Sequence, residues 1–110
     1  MRGVNLIAVL TRSPFSNLRP FTSLASKLAG QVSSVKIYLF YDGVLAAKKG
    51  ASVEAEVREL TQKGVTVIVD GREFRARGLG PMVEGVKALD HPVSELVDDI
   101  MEENSRVILV

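Results

Sequence analysis

Eight side chains of the types that make reactive or binding sites fall where an apolar run gives way to a polar loop: Arg12, Ser13, Asp42, Asp70, Arg72, Arg75, Arg77 and His91. Asp42 follows the run VKIYLFY and Asp70 follows VTVIV. Paired carboxylates in such places bind Mg²⁺ or accept phosphate. Single ones cap the turn or helix that comes next, and capping is the favoured reading because Asp is a preferred N-cap residue. Ser13 and His91 have the types of a nucleophile and its base. No G-x-S-x-G elbow accompanies them, so His91, followed by Pro92, reads as a helix cap or loop residue. Arg72, Arg75 and Arg77 crowd the turn after Asp70-Gly71, where guanidinium groups and the first N–H groups of a helix together hold an anion. A solvated charged face paired with Glu73 and Glu84 accounts for them equally well. Gly78-x-Gly80 lacks the third glycine and the strand-to-helix context of a dinucleotide site.

Composition narrows the chemistry further. Fourteen Lys and Arg against thirteen Asp and Glu give a formal charge of +1, which provides no long-range field for a polyanion, so direct nucleic-acid binding is not expected. Cysteine is absent, which excludes disulfides, thiolate metal sites and thiol catalysis by this chain alone. A single histidine makes a zinc site unexpected without several carboxylates or a second chain. No cofactor is implied. No stretch approaches the ~20 apolar residues of a membrane span, and the first residues read as a strand, not a targeting segment. The expectation is a cytoplasmic protein with no membrane contact.

The elements that must position these residues alternate. Val4 to Leu10 is a continuous apolar run, the pattern of a strand buried on both faces. Phe21, Leu24, Ala25 and Leu28 recur at helical steps between Asn17 and Ala29. Val35 to Tyr41 is a β-branched and aromatic strand. Val53, Val57 and Leu60 make a narrow helical stripe that predicts a surface helix ended by Gly64. Val65 to Val69 is a third strand, followed by the short basic helical turn and a Gly78-Leu79-Gly80-Pro81 break. Val83 to Leu89 is assigned a fourth strand mainly from topology. Asp90-His91-Pro92 opens a helix whose apolar face is Val93, Leu96, Val97, Ile100 and Met101, with Glu95, Asp98, Asp99, Glu102 and Glu103 expected in solvent. Arg106 to Val110 is a last strand. This alternation predicts βαβ units with right-handed crossovers and a mostly parallel five-stranded sheet with helices on both faces. At 110 residues the chain is one domain, and every strand-to-helix loop emerges on one edge of its sheet, where ligands of such sheets bind.

Three segments carry a resemblance: LTRSPF at Leu10 to Phe15, YDGVLAA at Tyr41 to Ala47, and V-D-x-x-x-x-x-A-R-G-L at Val69 to Leu79. In order and spacing they resemble the DsrE/DsrF/DsrH-like family of sulfur-relay proteins, and most closely its DsrH/TusB branch. The resemblance implies a three-layer α/β/α fold and oligomers, either homo-oligomeric trimers or hexamers or hetero-oligomers with DsrE/DsrF-like paralogues. It also implies that catalytic relatives carry persulfide on a cysteine just after the third strand, at the position of Asp70. A carboxylate holds no labile sulfur, so that role does not transfer. The expected function is a non-catalytic structural or regulatory subunit of a sulfur relay of the tRNA-thiolation type. The alternatives are a homo-oligomeric module for a small anion or nucleotide, built on the strand-end arginines, and a metal-dependent enzyme using Asp42 and Asp70.

Overall fold

Along the first strand Leu6, Ala8 and Leu10 alternate with Ile7 and Val9, and buried residues lie on both sides of the alternation, as a continuous apolar run requires. The computed structural model describes residues 4–12, 18–28, 32 and 34–109. Five strands, β1 (Asn5–Leu10), β2 (Ser34–Leu39), β3 (Thr66–Asp70), β4 (Lys87–Leu89) and β5 (Ser105–Leu109), form one sheet in the order β4-β3-β2-β1-β5. Every pairing is parallel. Between them lie α1 (Leu18–Leu28), a 3-10 helix (Tyr41–Ala47), α2 (Glu54–Gln62), α3 (Gly71–Ala76) and α4 (Pro92–Met101).

Crossover handedness explains the layers. The steps β1 to β2, β2 to β3 and β3 to β4 all run in one direction along the sheet, so right-handed connections leave their helices on one face. That face holds the main core, where Phe21 and Ala25 of α1, Val57 and Leu60 of α2 and Phe74 of α3 meet Ala8, Ile37, Val67 and Val69. The step from β4 to β5 runs back across the whole sheet, and the same handedness puts α4 on the opposite face. There Leu96 packs against a smaller cluster of Ile7, Tyr38, Phe40 and Ile68. Five strands at about 4.8 Å spacing put the outer two about 19 Å apart, whereas one helix is about 10 Å wide, so α4 alone covers only part of its face.

Four details depart from the sequence reading. The narrow stripe of α2 belongs to the main core, with Val53, Val57 and Leu60 buried by the neighbouring helices. Tyr41 to Ala47 is a 3-10 helix with Val44, Ala46 and Ala47 fully buried, and β2 stops short of it at Leu39. The fourth strand is only Lys87–Leu89. Gly85 sits at a φ of +94° with no room for a Cβ against Thr61, which turns the chain before β4, while Val83 is spent on the core. The helix after Pro92 is rolled relative to expectation. Glu95 and Asp99 face the sheet and Val93, Val97, Ile100 and Met101 face outward. The cause is the sheet beneath, where Lys36 and the Tyr38 hydroxyl require carboxylates above them.

Candidate functional site

The strand order fixes where a crevice opens. The chain leaving β3 turns into α3 on one face and the chain leaving neighbouring β4 turns into α4 on the other. A parallel sheet gapes at such a divergence, outside the strand carboxyl ends. An open depression of about 650 Å³ lies there, lined by Asp70, Arg72, Glu73, Ala76 and Asp90 and by the start of α4 from His91 to Ser94.

Asp70 is the last residue of β3 and the N-cap of α3. Its Oδ1 accepts the backbone N–H of Arg72 at 3.1 Å and of Glu73 at 3.2 Å, the capping role that its type suggests. The three arginines part company. Arg75 donates from Nη2 to Asp90 Oδ1 at 2.7 Å, and this hydrogen bond holds the Asp90 carboxyl below its usual value. Arg77 donates from Nε to Glu73 at 2.6 Å and pairs through Nη1 with Asp42 at 3.1 Å, and the two carboxylates, Glu73 first, raise its pKa. Arg72 is exposed and makes no ion pair among the described residues. It is the one cation of the three free to meet a ligand in the depression.

Asp42 reaches this network only through Arg77. It lies in the first turn of the 3-10 helix, which is pressed onto the end of β1: the Phe40 N–H donates to the Leu10 carbonyl at 3.0 Å, and a Cβ on Gly43 would fall 2.0 Å from that oxygen. Only glycine fits, which gives the DGV segment a packing reason. Arg12 is exposed beyond the carboxyl end of β1, and Ser13 lies outside the described residues. His91 is exposed at the N-cap of α4 and makes no side-chain capping bond. Among the described residues no three His, Asp or Glu side chains stand close enough to hold a metal ion.

Asp90 reads in the sequence as part of a helix start and proves instead to be the partner of Arg75, while nothing local marks Ser94 as a lining residue. A second network did leave a trace there. Ser34, Lys36 and Tyr38 alternate on one side of β2, three polar groups in an otherwise apolar strand. They meet Asn5, Asp99 and Glu95, with Lys36 Nζ 3.0 Å from Asp99 Oδ2 and the Tyr38 hydroxyl donating to Asp99.

These features define a small all-parallel α/β domain with a charged, strand-end depression that a capping carboxylate helps to line. The model of the family described as "DsrH like protein" matches residues 12–106, and the chain belongs to that DsrH-like family. Solved structures share the fold. The protein of unknown function MTH1491 from Methanobacterium thermoautotrophicum superposes with a TM-score of 0.78 at 21% identity, over 98% of this chain and 100% of its own. The ychN protein from E. coli gives 0.79 at 18%, over 98% and 100%, and the conserved protein of unknown function BT1422 from Bacteroides thetaiotaomicron gives 0.76 at 17%, over 96% and 94%. No curated protein matches this sequence significantly. No helix among the described residues is long and apolar enough to cross a membrane.

Proposed function

We propose that this chain is a non-catalytic, cysteine-free subunit of an oligomeric sulfur-relay assembly of the tRNA-thiolation type, working beside a cysteine-bearing DsrE/DsrF-like paralogue. One observation carries the reading: the position at the end of β3, where the family resemblance places the persulfide cysteine, is held by Asp70, and its carboxylate is committed to capping α3. Sulfur transfer needs a thiolate that takes up sulfane sulfur and is then attacked, and this chain has no thiol at all. Its contribution is therefore to bind, orient or bridge, in a homo-oligomer of three or six copies or in a mixed assembly. Affinity purification of the tagged chain from native lysate tests this. Recovery of an assembly that includes a cysteine-bearing relative is expected; recovery of only a lone monomer, with no such relative, overturns the assembly reading.

A second reading has its own support. Arg72, unpaired beside an open depression at the topological switch point, fits a module for a small anion or nucleotide.

A further inference from the structure

The face that α4 turns to the sheet and the apolar face of its sequence pattern are one residue apart. Pro92, Glu95, Leu96 and Asp99 are the covered positions of the helix. Advancing each by one gives Val93, Leu96, Val97 and Ile100, an apolar row at helical spacing. Of these, Val93, Val97 and Ile100 now stand 59%, 50% and 42% exposed. One residue is a roll of about 100° about the helix axis, and Leu96 belongs to both faces.

The floor beneath the helix would accept either face. Ile7, Phe40 and Ile68, with Val9 and Leu89 at its margin, are apolar and suit the row. Two groups oppose it. Lys36 Nζ lies 3.1 and 3.0 Å from the Asp99 carboxylate oxygens, and the buried Tyr38 hydroxyl donates to Asp99 and stands 3.4 Å from Glu95. The observed roll satisfies both and leaves the apolar row in water; the other roll buries the row and strands Lys36 and Tyr38. Exposed apolar area and a broken ion pair are penalties of similar size, so charge decides between them. That charge is finely balanced. Glu95 and Asp99 are like charges at i, i+4, Glu102 lines a cavity of about 100 Å³ with Lys36 and Asp99, and His91 stands at the N-cap. By strand register this face of the sheet otherwise presents only Lys87 at the exposed start of β4 and Asp70, which caps α3, while β1 and β5 contribute the neutral Asn5 and Ser105.

We propose that α4 is a two-position helix. Ionised Asp99 and Glu95 hold the observed roll, and loss of their charge, by uptake of protons from solvent, turns the helix by one residue and lays Val93, Val97 and Ile100 on the sheet. The output falls at the strand-end depression, because His91 to Ser94 of the same helix form one of its walls. Val93 leaves that wall in the turned state, so the network under the helix regulates the shape of the depression. The device does not depend on what the depression holds, and its test stands apart from both functional readings.

Because the chain has no cysteine, single introduced thiols report the roll. Val97 passes from the exposed row to the sheet, whereas Asp98 faces solvent in both positions. In dilute, otherwise native protein, V97C and D98C are expected to react with a maleimide at similar rates. Two pairs of substitutions then remove the hold from opposite sides. Glu95→Gln with Asp99→Asn discharges the carboxylates at neutral pH, and Lys36→Met with Tyr38→Phe removes their partners. Each pair is expected to slow V97C about tenfold relative to D98C, with the helical circular dichroism retained, since a covered thiol reacts only through local opening. An unchanged ratio in either pair overturns the proposal. So does a V97C thiol that is already slow in the otherwise native chain. Acceleration of both thiols to their rate in urea would mean that α4 comes loose instead of turning, and overturns it as well.

Discussion

Asp70 shows how one carboxylate can occupy a chemically loaded position while doing structural work. Its Oδ1 satisfies two of the N–H groups that a helix start leaves open, and that use competes with metal or proton chemistry at the same oxygen. Asp70→Ala is expected to cost about 1 kcal/mol, the usual value of an N-cap, and to lower the melting temperature by about 4 to 8 °C for a domain of this size. Asp70→Asn keeps an acceptor and is expected to cost less than half as much. Urea denaturation of the two variants checks the order, and equal losses would mean that the charge, not the cap, is what matters. Tyr38 makes a second case. Burial first, and then the hydrogen bond to Asp99, raise its phenol above the ordinary value of 10. A group whose folded-state pKa is raised contributes stability that is fully present below the unfolded value and is lost as pH rises through the folded one. Unfolding free energy should therefore hold up to about pH 10 and fall steeply above it, and Tyr38→Phe should flatten that alkaline limb. Tyr38 and Tyr41 are the only tyrosines, so an absorbance titration in a Tyr41→Phe background reads the Tyr38 phenol directly. Ionisation at or below pH 10 in the folded protein would contradict the buried network.

At the scale of elements, α4 is where the periodicity and the packing part. The stripe of Val93, Val97, Ile100 and Met101 is a clear helical signal and correctly gives a helix. Periodicity marks a face, however, and not the direction in which it points. That direction was set by β2, where Lys36 and Tyr38 draw Asp99 and Glu95 inward. The alternation of Ser34, Lys36 and Tyr38 was visible in the sequence as a polar row within an apolar strand, but assigning acids to cover it requires knowing which helix lies above. The other elements were more legible. β1 and β3 are apolar runs whose ends the sequence places to within a residue, β2 ends two residues earlier than its apolar run, and the break at Gly78 to Pro81 follows α3. The 3-10 helix was missed because Gly43 and two alanines give no periodicity, and its cause is a long-range approach to Leu10. The roll of α4 has a direct test. Leu96→Ala should cost about 2 kcal/mol, because Leu96 packs against the second core. Val97→Ser should stay within about 0.5 kcal/mol when measured on dilute protein, since its side chain faces outward. A larger loss at Val97 than at Leu96 would mean the helix is turned the other way.

For the whole molecule, the site follows from strand order more than from any motif. Three crossovers in one direction and one long return make β3 and β4 the neighbours whose connections diverge, and the depression between α3 and α4 is the consequence. Sequence reasoning could place Asp42, Asp70, His91 and the arginines on one edge of the sheet. It could not sort the arginines, because the partners of Arg75 and Arg77 come from β4's far end and from the 3-10 helix, 15 and 35 residues away in sequence. Once sorted, they make different predictions for the anion-binding reading. Inorganic phosphate should raise the melting temperature of the wild type through binding to the folded state, and Arg72→Ala should abolish the shift. Arg77→Ala removes ion pairs with Glu73 and Asp42, so it should lower the starting melting temperature yet keep the phosphate-dependent increment. Arg75→Ala should weaken the increment, because it frees the Asp90 carboxylate to repel an anion in the depression. Equal increments in wild type and R72A would assign any phosphate effect to general salt exclusion. That outcome would leave the depression without an anion site, and the case for the chain would rest on assembly alone.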